Sequence, residues 1–224
     1  MVETSVDIST ADKSPENQTQ QQDSTNEVAP IPSPAILNNI HPLKHKWTLW
    51  FLNSKKDLDW VKRLNNVCTF SSVEEFWSLY DSIRPPSVLP NCDYNLFKEG
   101  IEPMWEVPQN KNGGRLIVVV EKSRTDLLDQ WWLELLIALI GEQFGDDSDE
   151  ICGAVCNIRQ KGSKISLWTT NASNVDANTR IGKIMKDRLM AVWPGYKNTL
   201  KVCYEDHSDV QSKTSSAIQS RIII

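Results

Sequence analysis

Tryptophan constrains this chain more than any other residue type. The sequence has 224 residues and nine tryptophans, about three times the number that average composition would give. All nine lie between Trp47 and Trp193. A domain of this size uses a few such rings in its core, so several need another explanation, such as contact with a ligand.

The two ends of the chain have a different composition. Residues 1–35 contain no aromatic residue and carry six acidic groups against one basic group. Such a segment buries too little apolar area to offset its ordering entropy. The last twenty residues return to a Ser-rich polar composition. We therefore predict a disordered tail over 1–35, a folded domain over 36–205 and a flexible segment over 206–224.

Charge and cysteine content restrict the partners and the compartment. Beyond residue 35 the domain has 23 acidic and 23 basic residues, whereas a protein that coats duplex DNA is strongly basic. Five scattered cysteines without a CxxC pair predict neither a disulfide framework nor a zinc site. The N-terminus does not have the pattern of a signal peptide, and the apolar run over 135–140 is too short to span a bilayer. We predict an intracellular protein. Its main location is expected to be the cytoplasm, with the nucleus as a second location.

Periodicity predicts an α+β fold. Ser72-Val73-Glu74-Glu75 has the pattern of a capping box, and apolar residues at helical spacing follow it until Pro85. Two more helices are predicted over 126–144 and 175–190. Strand-like runs cover 46–52, 115–121, 154–159, 165–170 and 201–204, and a hairpin turn is predicted at 161–163. Because strands and helices do not alternate strictly, we predict a mostly antiparallel sheet with helices on one face.

The sequence contains no motif that requires an enzyme. It has no glycine-rich phosphate loop, no HExxH and no GxSxG. The acidic run over 146–150 lacks the spacing of a metal-binding loop, and a solvated loop is the simpler interpretation. We predict a protein that is not an enzyme and that uses neither a metal nor a cofactor.

Two tryptophans lie in polar, loop-like stretches. They are Trp60 and Trp105, and Glu106 follows the second directly. Two rings could stack on both faces of a planar, positively charged ligand while the carboxylate accepts its edge N–H groups. Arg159 and Lys164 flank the predicted hairpin turn, where two cations could bind a phosphate. Ordinary packing and a solvated basic hairpin are the alternatives, and at this point both stay open.

These segments together resemble the eukaryotic translation initiation factor 4E family, the proteins that bind the mRNA cap. The most specific match is Gly100-Ile101-Glu102-Pro103-Met104-Trp105-Glu106. Other matches, in family order, are His41-Pro42-Leu43, Trp47-Thr48-Leu49-Trp50-Phe51, Val73-Glu74-Glu75-Phe76-Trp77, Cys92-Asp93-Tyr94, Gly113-Gly114-Arg115, Trp132-Leu133-Glu134 and Cys152-Gly153-Ala154-Val155. The resemblance implies a curved, mostly antiparallel sheet like a cupped hand, with three helices on its convex face.

The resemblance also assigns roles to individual residues. It implies that Trp60 and Trp105 sandwich the 7-methylguanosine base, that Glu106 accepts its edge N–H groups and that Trp168 lies beside the methyl group. The implied cap phosphate ligands are Arg159, Lys164, Arg115 and Asn157. The implied convex surface for a helical partner consists of His41, Pro42, Val73, Trp77, Leu133, Glu134 and Ile137. Its partners would be the scaffold factor 4G and the inhibitory 4E-binding proteins. Ser216 falls near the position of a regulated serine.

Several functions are compatible with these residues. The leading hypothesis is a module that binds capped mRNA and recruits it to the translation initiation machinery. The alternative is a translational repressor that binds the cap while an inhibitory partner holds it. A cap-hydrolysing enzyme would need clustered carboxylates for a metal. A methyl-lysine cage would give Arg159 and Lys164 no role.

Overall fold

The fold is built on one eight-stranded sheet. The computed structural model describes residues 40–53, 59–193, 200–212 and 222–224, without the side chains of 60, 61 and 210–212. The strands are β1 (Pro42–Leu52), β2 (Leu64–Ser72), β3 (Cys92–Lys98), β4 (Gly114–Val120), β5 (Ile151–Ile158), β6 (Ser163–Thr169), β7 (Cys203–Asp206) and β8 (Ile222–Ile223). They are ordered β2-β1-β3-β5-β6-β4-β7-β8, and every neighbouring pair is antiparallel. The prediction of a mostly antiparallel sheet is confirmed.

The helices of the described part fall into two groups by length. The helices are α1 (Trp60–Arg63), α2 (Val73–Ser82), α3 (Pro108–Lys111), α4 (Thr125–Ile140), α5 (Val175–Val192) and α6 (His207–Ser212). The three long ones, α2, α4 and α5, are the three helices predicted from periodicity. Helix α4 ends earlier than predicted because Gly141 caps it, and its backbone N–H donates to the carbonyl of Ile137.

The capping box before α2 is present in a modified form. The backbone N–H of Glu75 donates to the Ser72 hydroxyl at 3.2 Å, as predicted. The Glu75 carboxylate accepts from the backbone N–H of Ser71 at 2.7 Å, one residue before the N-cap. Helix α2 therefore starts where the sequence pattern places it, and the preceding strand is tied to its first turn.

The two faces of the sheet have different surroundings because side chains alternate along each strand. One face carries Leu96, Leu116 and Leu167, which are buried against the three long helices together with Trp131 and Trp132. Trp47 lies in this core. Trp50 lies three residues further along β1 on the opposite face, and it is only half-buried.

The edge strand β2 and the interior strand β3 were not predicted from the sequence. Strand β2 lies at the sheet edge and has five consecutive exposed positions over 65–69. Its sequence therefore has the pattern of a polar loop rather than that of a strand. Strand β3 is buried on both faces although it contains Asp93 and Asn95. The sheet also extends past residue 205, because β7 ends at Asp206 and β8 follows the undescribed residues 213–221.

Candidate functional site

A cavity of about 290 Å³ opens on the face of the sheet opposite the long helices. Five strands and the bend between β3 and α3 supply its walls. The described lining residues are Leu52, Asp93, Asn95, Pro103, Met104, Trp105, Glu106, Arg115, Val155, Asn157 and Trp168. Five residues that the sequence analysis singled out are thus brought together, although they come from positions as distant as 105 and 168.

Trp105 and Glu106 are presented by an irregular bend. Gly100 begins it with a positive φ of 83°, a conformation that glycine adopts without steric cost. Trp105 is half-buried against a small apolar cluster formed by Phe97, Cys152, Val155 and Trp168, while Glu106 is exposed. The ring thus has a supporting layer, and the carboxylate next to it faces water and can accept hydrogen bonds.

Trp168 forms another wall of the cavity. Its ring meets Phe97 edge-on at a centroid distance of 5.4 Å and lies 4.3 Å from the ring of His207. Trp168 keeps only 5% of its surface exposed. It is therefore fixed by packing on two sides, as a residue that shapes a binding surface must be.

The second stacking tryptophan is described only through its backbone. Trp60 begins the short helix α1, whereas the sequence suggested a loop there. Its side chain lies outside the described part of the structure. The sandwich of Trp60 and Trp105 therefore stays a prediction.

Arg115 and Asn157 both line the cavity, as the phosphate assignment requires. The Arg115 guanidinium donates twice to one carboxylate oxygen of Glu205, with Nη2 at 2.8 Å and Nε at 3.1 Å. Both side chains of this pair are largely buried. The pair fixes the guanidinium at the cavity wall.

Arg159 and Lys164 are absent from the described lining of this cavity. Nη1 of Arg159 donates to the carboxylate of Asp93 and, at 3.0 Å, to the carbonyl of Cys92. The bonds to Asp93 raise the pKa of Arg159, so its charge is permanent. About half of the Arg159 side chain stays exposed. Lys164 is exposed and stands opposite Asn157 in the register of β5 and β6, next to a wall residue.

Three groups at the site were missed by sequence reasoning. Asp93 holds Arg159, Glu205 holds Arg115, and His207 packs under two tryptophans of the cavity. An acidic residue inside an apolar strand, as at Asp93, was a signal in the sequence. Glu205 and His207 gave none, because their partners are about 90 or more residues away.

The predicted partner surface lies on α2, α4 and the start of β1. Trp77 keeps 39% of its surface exposed, whereas its neighbour Phe76 keeps only 2%. Leu133 and Ile137 are half-buried on successive turns of α4, so they share one helix face.

Two charged groups of this surface are tied in place. The backbone N–H of His41 donates to one oxygen of Glu74, and its ring Nδ1 lies 2.6 Å from the other. These bonds lower the pKa of Glu74 to about 2. Glu134 pairs with Nη1 of Arg188 at 3.5 Å. A carboxylate at the rim is thus present, and it already has a cationic neighbour.

Other features of the described part are structural. The acidic run over 146–150 forms a 3-10 helix in which Asp147 pairs with Arg180 at 2.7 Å. Among the described residues there is no group of three that could hold a metal ion. In the same residues no helix has the length and apolar character needed to cross a membrane. Ser216 lies outside the described residues.

Comparison with known proteins identifies the family. The family model for eukaryotic initiation factor 4E matches residues 42–222, which include the whole cavity. The chain belongs to the eukaryotic initiation factor 4E family. Initiation factor 4E-1 of Caenorhabditis elegans is 50% identical over 187 residues, which cover 82% of this chain and 88% of the relative. The segment that matches the family model thus contains all the described residues that line the cavity.

Solved structures of 4E proteins share this fold. Ascaris suum eIF4E-3, in complex with an m2,2,7G cap, superposes with a TM-score of 0.75 at 48% identity, covering 83% of this chain and 98% of the relative. The same protein with an m7G cap gives 0.74 at 46% identity, again with 83% and 98% covered. C. elegans eIF4E-3, in complex with the 4E-binding protein Mextli and a cap analogue, gives 0.74 at 46% identity, with 83% and 99% covered.

Proposed function

We propose that this chain binds the 7-methylguanosine 5′ cap of mRNA and recruits the message to the translation initiation machinery. The observation that carries the proposal is the joint lining of one cavity by Trp105, Glu106 and Trp168. The cap complexes of the Ascaris suum relative support it. The cytoplasm, where messages are translated, is the place in which we propose that it acts.

The chemistry of the base explains why this combination of residues suits it. Methylation at N7 gives the guanine a delocalised positive charge, which strengthens its stacking on Trp105 and Trp60. The same charge makes the N1 proton a better donor to the Glu106 carboxylate. We expect discrimination against unmethylated guanine of about two orders of magnitude in affinity.

The phosphates of the cap would continue along the wall from the base. Arg115 and Asn157 lie within the cavity, and Lys164 stands opposite Asn157 on the neighbouring strand. Arg159 is close to the same wall through its bond to Asp93. Four donors of this kind suit a triphosphate, which needs several fixed cations and N–H groups.

Recruitment would use the surface that contains Trp77 on α2 and Leu133 and Ile137 on α4. Exposed apolar anchors on helices with an acidic rim residue suit a helical partner peptide. In a solved structure, the C. elegans relative is bound to the 4E-binding protein Mextli. The scaffold factor 4G is the second expected partner. An inhibitory partner would make the chain a repressor; competition between the two partner peptides decides which one dominates.

The proposal describes a binding module rather than an enzyme. Hydrolysis of the triphosphate would need carboxylates placed for metal ions. In the described cavity, Asp93 is engaged by Arg159, and Glu106 adjoins the tryptophan that stacks on the base. Mass analysis of the cap dinucleotide after long incubation with the protein should show unchanged ligand; turnover would contradict the proposal.

The test is a titration of tryptophan fluorescence with 7-methyl-GTP and with GTP. We expect strong quenching by the methylated nucleotide alone and its loss in Glu106→Gln, in which the charge is removed with little change in shape. The matched control is Glu99→Gln. It removes an exposed carboxylate that pairs with Lys46 and lies near the start of the same bend. Equal, weak quenching by both nucleotides would refute cap binding.

A further inference from the structure

We propose that Asn110 is a positioning residue for recognition of the methylated base, because its side-chain amide fixes the bend that presents Trp105 and Glu106. The inference rests on the proposed function and names a residue outside the cavity lining. Asn110 lies in the short helix α3 and is fully buried, with 0% of its surface exposed. Burying an amide nitrogen costs free energy unless its protons find acceptors.

The side-chain amide of Asn110 bridges two carbonyls of the bend. Its Nδ2 donates to the carbonyl of Glu102 at 2.9 Å and to that of Met104 at 2.8 Å. An amide nitrogen has two protons, so one side chain satisfies both acceptors. The bonds end directly before Trp105. They determine the direction in which the ring and the next carboxylate leave the backbone.

The bend itself has few other internal restraints. The described backbone hydrogen bonds within it are those from Ile101 to Lys98 at 3.0 Å and from Met104 to Glu102 at 2.7 Å. It forms neither helix nor strand. Without the amide, the two carbonyls would rotate toward water. Trp105 would then adopt several orientations instead of one.

Asn110 is also joined to a residue that packs behind the cavity wall. Its backbone carbonyl lies 2.9 Å from Nδ1 of His207, which is fully buried and donates in the neutral tautomer that this contact selects. The His207 ring is nearly parallel to Trp105 at 6.4 Å and lies 4.3 Å from Trp168. Asn110 therefore connects the bend with His207, which supports the two cavity tryptophans Trp105 and Trp168.

The chemistry requires asparagine at this position. Aspartate has the same shape but, when ionised, offers only acceptors, so it would face two carbonyls without a proton. Alanine would remove the side-chain donor from both carbonyls and leave that of Glu102 only its bond from the backbone N–H of Met104. Glutamine has the donors on a longer stem, which does not fit a fully buried position.

The test compares Asn110→Asp with the wild-type protein. We expect the affinity for 7-methyl-GTP to fall about tenfold, since two hydrogen bonds of the bend are lost. The affinity for 7-methylguanosine without phosphates should fall by the same factor, because the defect concerns the base. Binding of a helical partner peptide should be unchanged, which shows that the variant is folded.

Asn178 provides a matched control. It lies in helix α5 and keeps only 1% of its surface exposed. Its Nδ2 donates to the carbonyl of Asn171 at 2.9 Å. Asn178→Asp should lower the melting temperature but leave the affinity for 7-methyl-GTP unchanged. A general loss of stability would affect both variants alike, whereas positioning affects only the one at residue 110.

The possible results separate this inference from the proposed function. If the wild type does not bind 7-methyl-GTP, the proposed function fails. If the wild type binds and folded Asn110→Asp binds equally well, only the role of Asn110 is refuted. If that variant does not fold, NMR of the wild type decides. The Asn110 side-chain amide signals should exchange slowly and shift on addition of 7-methyl-GTP, and unchanged signals would overturn the inference.

Discussion

At the scale of single residues, the cations of the site are held in place by protein groups. Arg115 is bound to Glu205, and Arg159 to Asp93. A side chain that is already fixed loses less conformational entropy when it binds a phosphate. Each carboxylate also weakens the attraction between its arginine and an anion, so the arrangement favours orientation over raw charge.

Replacement of Arg159 separates a phosphate role from a purely structural one. In Arg159→Gln we expect the affinity for 7-methyl-GTP to fall about tenfold, because a charge-assisted hydrogen bond is lost. The affinity for phosphate-free 7-methylguanosine should not change. Isothermal titration with both ligands provides the measurement. Arg180→Gln, which breaks the ion pair with Asp147, is the control. Equal losses for the two ligands would speak against phosphate binding by Arg159.

His207 predicts how stability depends on pH. Burial lowers the pKa of this imidazole to about 4, helped by the nearby charge of Arg115 and opposed by Asp206 and by its bond to Asn110. An unfolded histidine titrates near pH 6.5. The fold thus favours the neutral ring, and its contribution is complete above pH 6.5 and disappears as the pH falls toward 4. The loss amounts to about 3 kcal/mol.

Urea denaturation between pH 7 and pH 4 tests this expectation. The free energy of unfolding of the wild type should decrease over this interval more steeply than that of His207→Gln, in which the titrating group is absent. The carboxylates that titrate in the same interval are common to both proteins and cancel in the comparison. Parallel curves would show that His207 is not the acid-sensitive group.

At the scale of elements, helix α2 illustrates how one amphipathic segment serves both the core and a surface. Phe76 is buried against the sheet, while Trp77 is 39% exposed and contacts Phe76 and Tyr80 with its ring edge-on. A tryptophan that stays exposed next to a buried phenylalanine is not needed to close the core. Its position instead suits the anchor of a protein interface.

Trp77→Ala tests this surface. We expect a peptide with the helical Tyr-x-x-x-x-Leu-apolar pattern to bind about 100-fold more weakly, because buried aromatic anchors dominate such interfaces. The affinity for 7-methyl-GTP should not change, since the cavity lies on the other face of the sheet. Val175→Ala, at a position on α5 that is 54% exposed, should affect neither ligand. Fluorescence anisotropy of a labelled peptide gives the affinities, and unchanged peptide binding by Trp77→Ala would remove Trp77 from the interface.

The elements also show what the sequence can predict and what it cannot. The helices α2, α4 and α5 were predictable because apolar residues recur at helical spacing over ten residues or more. Strand β2 was not, because an edge strand with exposed side chains has no alternating pattern. Trp105 and Glu106 could be singled out as neighbours in the chain. The bond between Asp93 and Arg159 and that between Asn110 and His207 join residues that lie 66 and 97 positions apart, and no local pattern encodes such contacts.

At the scale of the whole molecule, the residue that follows β8, Ile224, helps to hold the layers together. The backbone of Ile224 exchanges two hydrogen bonds with Val202, at 2.9 and 3.2 Å. Its side chain packs against Gly182 of α5, where an added Cβ would lie 2.1 Å from the Ile224 Cδ1 atom and 3.0 Å from Leu116. The absence of a side chain at Gly182 is therefore what allows the helix, β4 and this residue to meet.

This contact predicts that two substitutions will not be additive. Gly182→Ala alone should lower the free energy of unfolding by about 1 kcal/mol, because overpacking outweighs the better helix propensity of alanine. In a background of Ile224→Ala the nearest clash is removed, and the same change should become neutral or stabilising by up to about 1 kcal/mol. Urea denaturation of the four proteins of this cycle measures both effects. If Gly182→Ala has the same effect in both backgrounds, the side chain of Ile224 does not fill the space beside Gly182, because a filled space would couple the two substitutions.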